Sequence, residues 1–193
     1  MKIFYQDKEI GLKEGLDRVS DIFLHSLNGS GKHIMACKCN NEVKPLWYQI
    51  QDGDEVELLD LTDRDGLRVY IRGVLYVMSM AFDELYPGTK MVINYQLKNS
   101  MFCELMNSEI TSDMVKKIEK RMREIVKKDM PIIKREMSKQ DAVKFYETHQ
   151  SRRGDLQLQN KLKNSVSLYF CGEYYNYFYG VMPMSTGYID IFK

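Results

Sequence analysis

The sequence predicts an α+β protein built from two units, and three features predict it. Residues 1–61 carry short alternating apolar patterns punctuated by Gly, Asn and Asp. The stretch from Asp63 to Met91 reads as one long helix running into a strand. The aromatic run SLYFCGEYYNYFYG then alternates as a pair of strands on which such a helix can lie. A chain of 193 residues with 44% hydrophobic content can bury a sizeable core, and we set the units at 1–61 and 62–193.

Composition narrows the function classes. Lys and Arg total 28 against 27 acidic residues, so no overall positive charge points to nucleic acid, and only a local basic patch could. Cys37, Cys39, Cys103 and Cys171 lack the density of a secreted disulfide scaffold, and no leader pattern precedes Met1-Lys2-Ile3. Reduced thiols in a cytoplasmic protein are expected. No apolar run approaches the ~20 residues that cross a bilayer, so no membrane partner is expected.

In the first unit, KIFYQ and the segment from Glu9 to Leu12 predict a hairpin, and DRVSDIFLHSL places Val19, Ile22, Phe23 and Leu27 at helical spacing. Asn28-Gly29-Ser30-Gly31-Lys32 looks like a phosphate loop only at first sight. Its first glycine would have to fall at Ser26, and His33 stands where Ser or Thr must hold magnesium. A glycine turn closing the helix is the expectation. HIMACKCNNEVKPL predicts two strands around Asn40-Asn41, and DGDEVELLDL predicts another. Cys37 and Cys39 alternate along one strand as small buried side chains, since no second pair stands nearby to complete a metal site. The passage LDLTDRDGLRVY is too short to be a flexible tether.

In the long helix, Leu67, Ile71, Val74, Met78, Ala81 and Leu85 recur every three or four residues, with Leu75 and Phe82 beside them, and this stripe is expected to be the buried face. Asp63 is expected to cap the first turn, and Pro87-Gly88 to end the helix. Gly73, Val77, Met80 and Glu84 share the other face. A glycine inside a helix costs about 1 kcal/mol relative to alanine, so a constraint beyond helix formation placed Gly73 there.

Further on, KMVINYQL and SMFCELM predict a hairpin turning at Lys98-Asn99. TSDMVKKIEKRMREIVKKDMP predicts a helix capped by Thr111 or Ser112 and ended by Pro131, with Met114, Ile118, Met122, Ile125 and Val126 as its apolar stripe and Glu119–Arg123 as an i,i+4 pair. PIIKREM is a strand, SKQDAVKFYETH a short helix capped by Ser138, RRGDLQLQNKLKNS an exposed strand or loop, and STGYIDIFK a strand-like tail of the kind left between domains.

The run IRGVLYVMSMAFDELYPGTKMVI resembles the start of the second N-terminal domain of threonyl-tRNA synthetases, an editing-type domain shared with alanyl-tRNA synthetases. The elements of residues 1–61, ending in VKPLWYQIQDGDEVELLD, resemble the TGS domain, a ubiquitin-like β-grasp module. The resemblance implies a β-grasp unit followed by an editing-like unit with a long helix packed on an antiparallel sheet. In that family the helix carries His-x-x-x-His and a later Cys-x-x-x-His completes a zinc-site-like cluster. The matching positions here are Gly73, Val77, Phe178 and Met182. None of these side chains is a good ligand for a divalent ion. Catalytic residues and a resident metal or cofactor are therefore not expected. Where the family has Gly-Phe-Tyr-Tyr-Asp in the pocket wall, this chain has Ser100-Met101-Phe102-Cys103-Glu104.

Three functional readings follow. The first is a non-catalytic, synthetase-like module with a regulatory, ligand-sensing or interaction role. Some bacterial proteins that it resembles place the same modules before a uridine-kinase-type nucleoside kinase, which would bring ATP and magnesium with it in cis. The second is an editing hydrolase acting on mischarged tRNA, in the manner of a threonyl-tRNA synthetase N-terminal region; it needs a metal or a positioned base. The third is an RNA-binding module using Lys116, Lys117 and Lys120. A small flat ligand held by Tyr76, Tyr95, Tyr177 and Phe178, with the Cys103 thiol nearby, is the alternative to a cleft filled by side chains.

Overall fold

A computed structural model describes residues 1–13, 15–23, 33–97, 100–106, 108–148, 158 and 164–192, the side chains of 94–97 excepted. The expected turns at 28–32 and 98–99, Leu27 of the first helix pattern, and most of RRGDLQLQNKLKNS lie outside the described residues.

Strands β1 (Lys2–Tyr5) and β2 (Lys8–Gly11) form the expected hairpin. Gln6 and Asp7 take positive φ at its turn, as a tight two-residue connection requires. A short helix α1 (Val19–Ile22) follows. Then β3 (Ala36–Cys39) and β4 (Glu42–Lys44) fold around Asn40-Asn41, both again at positive φ, and β5 (Glu55–Leu59) returns through the middle. The sheet order is β2-β1-β5-β3-β4, with β1 and β5 parallel and the other pairs antiparallel. Ile3, Val19, Phe23, Cys37, Leu46, Ile50 and Val56 make the first core.

Helix α2 (Arg64–Leu85) follows β5. The link into it is closed by hydrogen bonds: the Asp60 amide donates to Asp63 Oδ2 at 2.8 Å, and the Thr62 amide donates to Asp60 Oδ1 at 2.7 Å. Asp63 therefore accepts from upstream and does not cap α2, contrary to the expectation, because its carboxylate is committed to the Asp60 amide. The helix ends at Leu85, with Gly88 at φ +80 just beyond, as Pro87-Gly88 implied.

The expected burial of α2 is reversed in its first half. Leu67 is exposed and Ile71, Val74 and Met78 are half-buried, whereas Gly66, Val69, Tyr70, Gly73, Tyr76, Val77 and Met80 are buried. Two glycines decide this. A Cβ on Gly66 would stand 2.0 Å from the Asp60 carbonyl oxygen, and one on Gly73 would stand 2.4 Å from Ile189 Cδ1, so the glycine face is the one that approaches its neighbours most closely. Val74 and Met78 pack at the edge of the same cluster with Ile118 and Val126 of α3 (Ser112–Lys127).

Between α2 and α3, β6 (Met91–Leu97) and β7 (Ser100–Leu105) form a two-stranded sheet that, among the described residues, pairs with no other strand. Thr111 Oγ1 accepts the Met114 amide at 3.2 Å and so caps α3. Strand β8 (Ile133–Ser138) leads to α4 (Lys139–Thr148), where Ser138 Oγ accepts the Asp141 amide at 3.0 Å. Strands β9 (Ser165–Cys171) and β10 (Tyr174–Tyr177) complete a sheet of order β10-β9-β8. One face of it, through Tyr169, Cys171 and Tyr174, joins the core of α2, and the other, through Val166, Leu168 and Tyr175, packs on α4 and Leu158. The tail is not a strand: Thr186–Tyr188 form a 3-10 turn, because the Thr186 hydroxyl and amide are engaged by Ile125 and Met130 at the end of α3. No described helix is long and apolar enough to cross a membrane.

Candidate functional site

The cleft beside Gly73 is where the editing-type resemblance places chemistry, and it can be built from its residues. Tyr76 is fully buried on α2, and its hydroxyl donates to the Tyr169 carbonyl at 2.9 Å, fixing the helix to β9. Its ring meets Tyr174 and Phe178 edge-on, with centroids 5.2 and 5.5 Å away. Val77 and Met182 are buried in the same core, and Phe178 packs against it. Three of the four positions of the donor pattern, Val77, Phe178 and Met182, thus belong to one hydrophobic cluster, and Gly73 lies against Ile189 of the same cluster. Above Gly73 the space is taken by Ile189 and Pro183, whose Cγ would lie 2.7 Å from an added Cβ. Tyr70 holds this lid down, its hydroxyl donating to Ile191 O at 2.9 Å and accepting from the Ile191 amide at 2.6 Å.

The electrostatics of this region belong to a dry interior. Burial pushes the Tyr169 phenol up to about 12 and the Cys171 thiol up to about 11, so both are neutral at physiological pH. Among the described residues, no three His, Cys, Asp or Glu side chains converge as metal ligands do. His33 places Nδ1 3.6 Å from Asp190 Oδ1; His25 and His149 lie outside the described residues.

The flat-ligand set is only partly brought together. Tyr76 and Phe178 touch across the main core, but Tyr177 packs in the α4 cluster on the opposite side of the sheet. Cys103 is half-buried on β7, in the separate hairpin, with its thiol raised by burial. Tyr95 pairs with Phe102 in the β6–β7 register, and its side chain lies outside the description. Alternation along β9 and β10 sends successive aromatics to opposite faces, which separates residues that the sequence places side by side.

The α3 surface differs in kind. Lys116, Lys120 and Lys127 are exposed and line a shallow groove with Glu119, Arg123 and Glu124. Glu119 is engaged by Arg123 at 2.7 Å and Glu124 by Arg121 at 2.7 Å, so the acids are matched within the helix. Lys117 pairs with Asp113 at 2.7 Å. Lys116, Lys120 and Lys127 form no ion pair among the described residues, and at 1.5 Å rise per residue they span about 16 Å of one helix face.

Sequence reasoning passed over Arg72. Its Nη1 donates to the Val181 carbonyl, and its guanidinium lies against Gly180, whose added Cβ would stand 3.1 Å from Cζ. A glycine before an apolar Val-Met-Pro run was the available signal.

No protein-family model matches this sequence. Comparison with curated proteins gives a consistent result. The chain is similar to the threonine–tRNA ligase of Rubrobacter xylanophilus, 26% identical over 188 residues, covering 96% of this chain and 29% of that protein. The threonine–tRNA ligase of Listeria welshimeri is 27% identical over 202 residues, covering all of this chain and 30% of its own length. That of Bifidobacterium longum is 32% identical over 114 residues, 58% of this chain and 17% of the protein. The chain therefore spans less than a third of the length of these relatives.

Proposed function

We propose that this chain is a threonyl-tRNA-synthetase-like region, of the N-terminal type, which takes RNA on its surface and does not hydrolyse aminoacyl esters. The similarity along the whole chain to threonine–tRNA ligases supports the synthetase-like part of this reading. The absence of hydrolysis is carried by a single observation: Val77, Phe178 and Met182 pack in one hydrophobic cluster and Ile189 and Pro183 close over Gly73, so the four positions offer a divalent ion no good ligand. Hydrolysis needs a polarising ion or a base within hydrogen-bond reach of a water, and the four positions themselves offer only carbon and a thioether, beside a Cys171 thiol kept neutral by burial.

The α3 lysines support RNA as the partner. Cations left unpaired at intervals along one exposed helix face are the arrangement that displaces counterions from a phosphate backbone. Attachment to a uridine-kinase-type domain, with ATP and magnesium, rests on resemblance alone; the shared name of the relatives favours attachment to a synthetase.

The test has two arms. Mischarged tRNA incubated with the 193-residue chain is expected to deacylate at the background rate with or without chelator; metal-dependent turnover would overturn the reading. RNA binding is expected to weaken with salt, and Lys116→Glu with Lys120→Glu to flatten the log–log slope by about 2. No binding at low salt removes the RNA partner.

A further inference from the structure

The clearest unassigned group outside the cleft is Arg72. It sits on α2 one residue before Gly73, half-buried, and burial lowers its pKa from the ordinary arginine value. A guanidinium carries five N–H donors in a planar fork. The described residues supply it with one acceptor, the Val181 carbonyl, and no carboxylate. The nearest acid of its own helix face, Asp65, is engaged by Arg68 at 3.1 Å, which adds a second cation one turn away.

The setting is built. Gly180 stands at φ +96, and its bare Cα is what lets the guanidinium lie against the backbone: an added Cβ would be 3.1 Å from Cζ and 3.3 Å from both Nη atoms. The Tyr169 hydroxyl donates to the Gly180 carbonyl at 2.5 Å and ties this turn to β9. The residue before it, Tyr179, is 76% exposed and close enough for its phenol to act electrostatically on Arg72, an aromatic ring offered to solvent. A partly desolvated, pre-oriented fork suits a planar or tetrahedral oxyanion, and an exposed ring beside it suits a base.

We propose that Arg72, seated on Gly180 beside Tyr179, binds the phosphate of a nucleotide, free or at an RNA end, with the base against the tyrosine ring. The site deepens the RNA-binding reading above and rests on it for the polymeric ligand, while the phosphate chemistry stands separately.

Nuclear magnetic resonance of the 193-residue chain tests it, following the Arg72 Nε–Hε and Gly180 amide signals. The probes are inorganic phosphate, a ribonucleoside 5′-monophosphate, a single-stranded hexaribonucleotide and, as control, acetate. The monophosphate is expected to shift both signals saturably, and Arg72→Lys, which keeps the charge and removes the fork, to weaken it about tenfold. Tyr179→Ala, at an exposed position, is expected to weaken the monophosphate about fivefold and leave inorganic phosphate unchanged. Should Arg72→Lys fail to fold, the Tyr179→Ala contrast carries the test. Equal shifts with acetate, or no shift with the monophosphate, overturn the site. Hexanucleotide binding that depends on Lys116 and Lys120 but not on Arg72 would overturn this site and leave the RNA reading intact. Monophosphate binding without hexanucleotide binding would do the reverse.

Discussion

Helices α2 and α3 pack side by side in one core, yet they use their surfaces in opposite ways. Helix α2 turns its glycine face inward, and Gly66 and Gly73 let backbone and side chains come closer than any Cβ would permit. Helix α3 fully buries Met122 and Ile125, packs Ile118 and Val126 beside them, and gives its outer face to charge. Arg121 of α3 reaches Glu84 of α2 at 2.5 Å, so the two are fastened at the rim as well as in the core. The contrast bears on the proposed RNA surface. A region under close packing has no spare volume for a ligand, whereas an exposed helix face with unmatched cations costs little to keep and is open to a polyanion.

The comparison is broken most strongly from the α2 side. Ile189→Ala removes the side chain that roofs Gly73, and the expected loss is about 2–5 kcal/mol because the rigid surroundings cannot close the void. Thermal and urea unfolding measure it; a loss under ~0.5 kcal/mol would mean that the roof is loose. Gly73→His, which places a donor where the resembled editing-type domain has one, is expected to cost about 1–3 kcal/mol through overpacking against Ile189 and Pro183. Combining it with Ile189→Ala should recover part of that cost, a non-additivity that a double-mutant cycle reads directly. Additive losses would show that the two residues do not share the space.

On the α3 side the effects are smaller. Thr111→Ala deletes the oxygen that accepts the Met114 amide and is expected to cost about 1 kcal/mol, measured by chemical unfolding. Lys116→Glu with Lys120→Glu should change stability by no more than about 0.5 kcal/mol while altering RNA binding. A large stability change there would move these lysines from the ligand surface into the architecture of the fold.

Much of this was legible in the sequence because local rules decided it. Asn40-Asn41, Thr111, Ser138 and Pro87-Gly88 mark turns and caps whose physics lies within four residues, and each does what its chemistry requires. The buried face of α2 was not legible from periodicity, because Leu67, Ile71 and Val74 on one side and Val69, Val77 and Met80 on the other both repeat at helical spacing. Glycine was the deciding signal, and it counts against burial on hydrophobicity scales while marking the closest approach in space. The cap at Asp63 failed for a similar reason: its carboxylate had a nearer donor upstream, which no window centred on the helix reveals. The roof over Gly73 was hidden by distance along the chain, since Ile189 lies more than a hundred residues from the glycine that it covers.

The join between β5 and α2 sets how the whole chain responds to load. Asp60, Thr62 and Asp63 are laced to one another, and Gly66 rides against the Asp60 carbonyl with no room for a methyl group. A torque applied to the five-stranded sheet is therefore expected to reach the long helix directly, as through a welded crank. Residual dipolar couplings from residues on either side of Asp60 should fit a single alignment tensor.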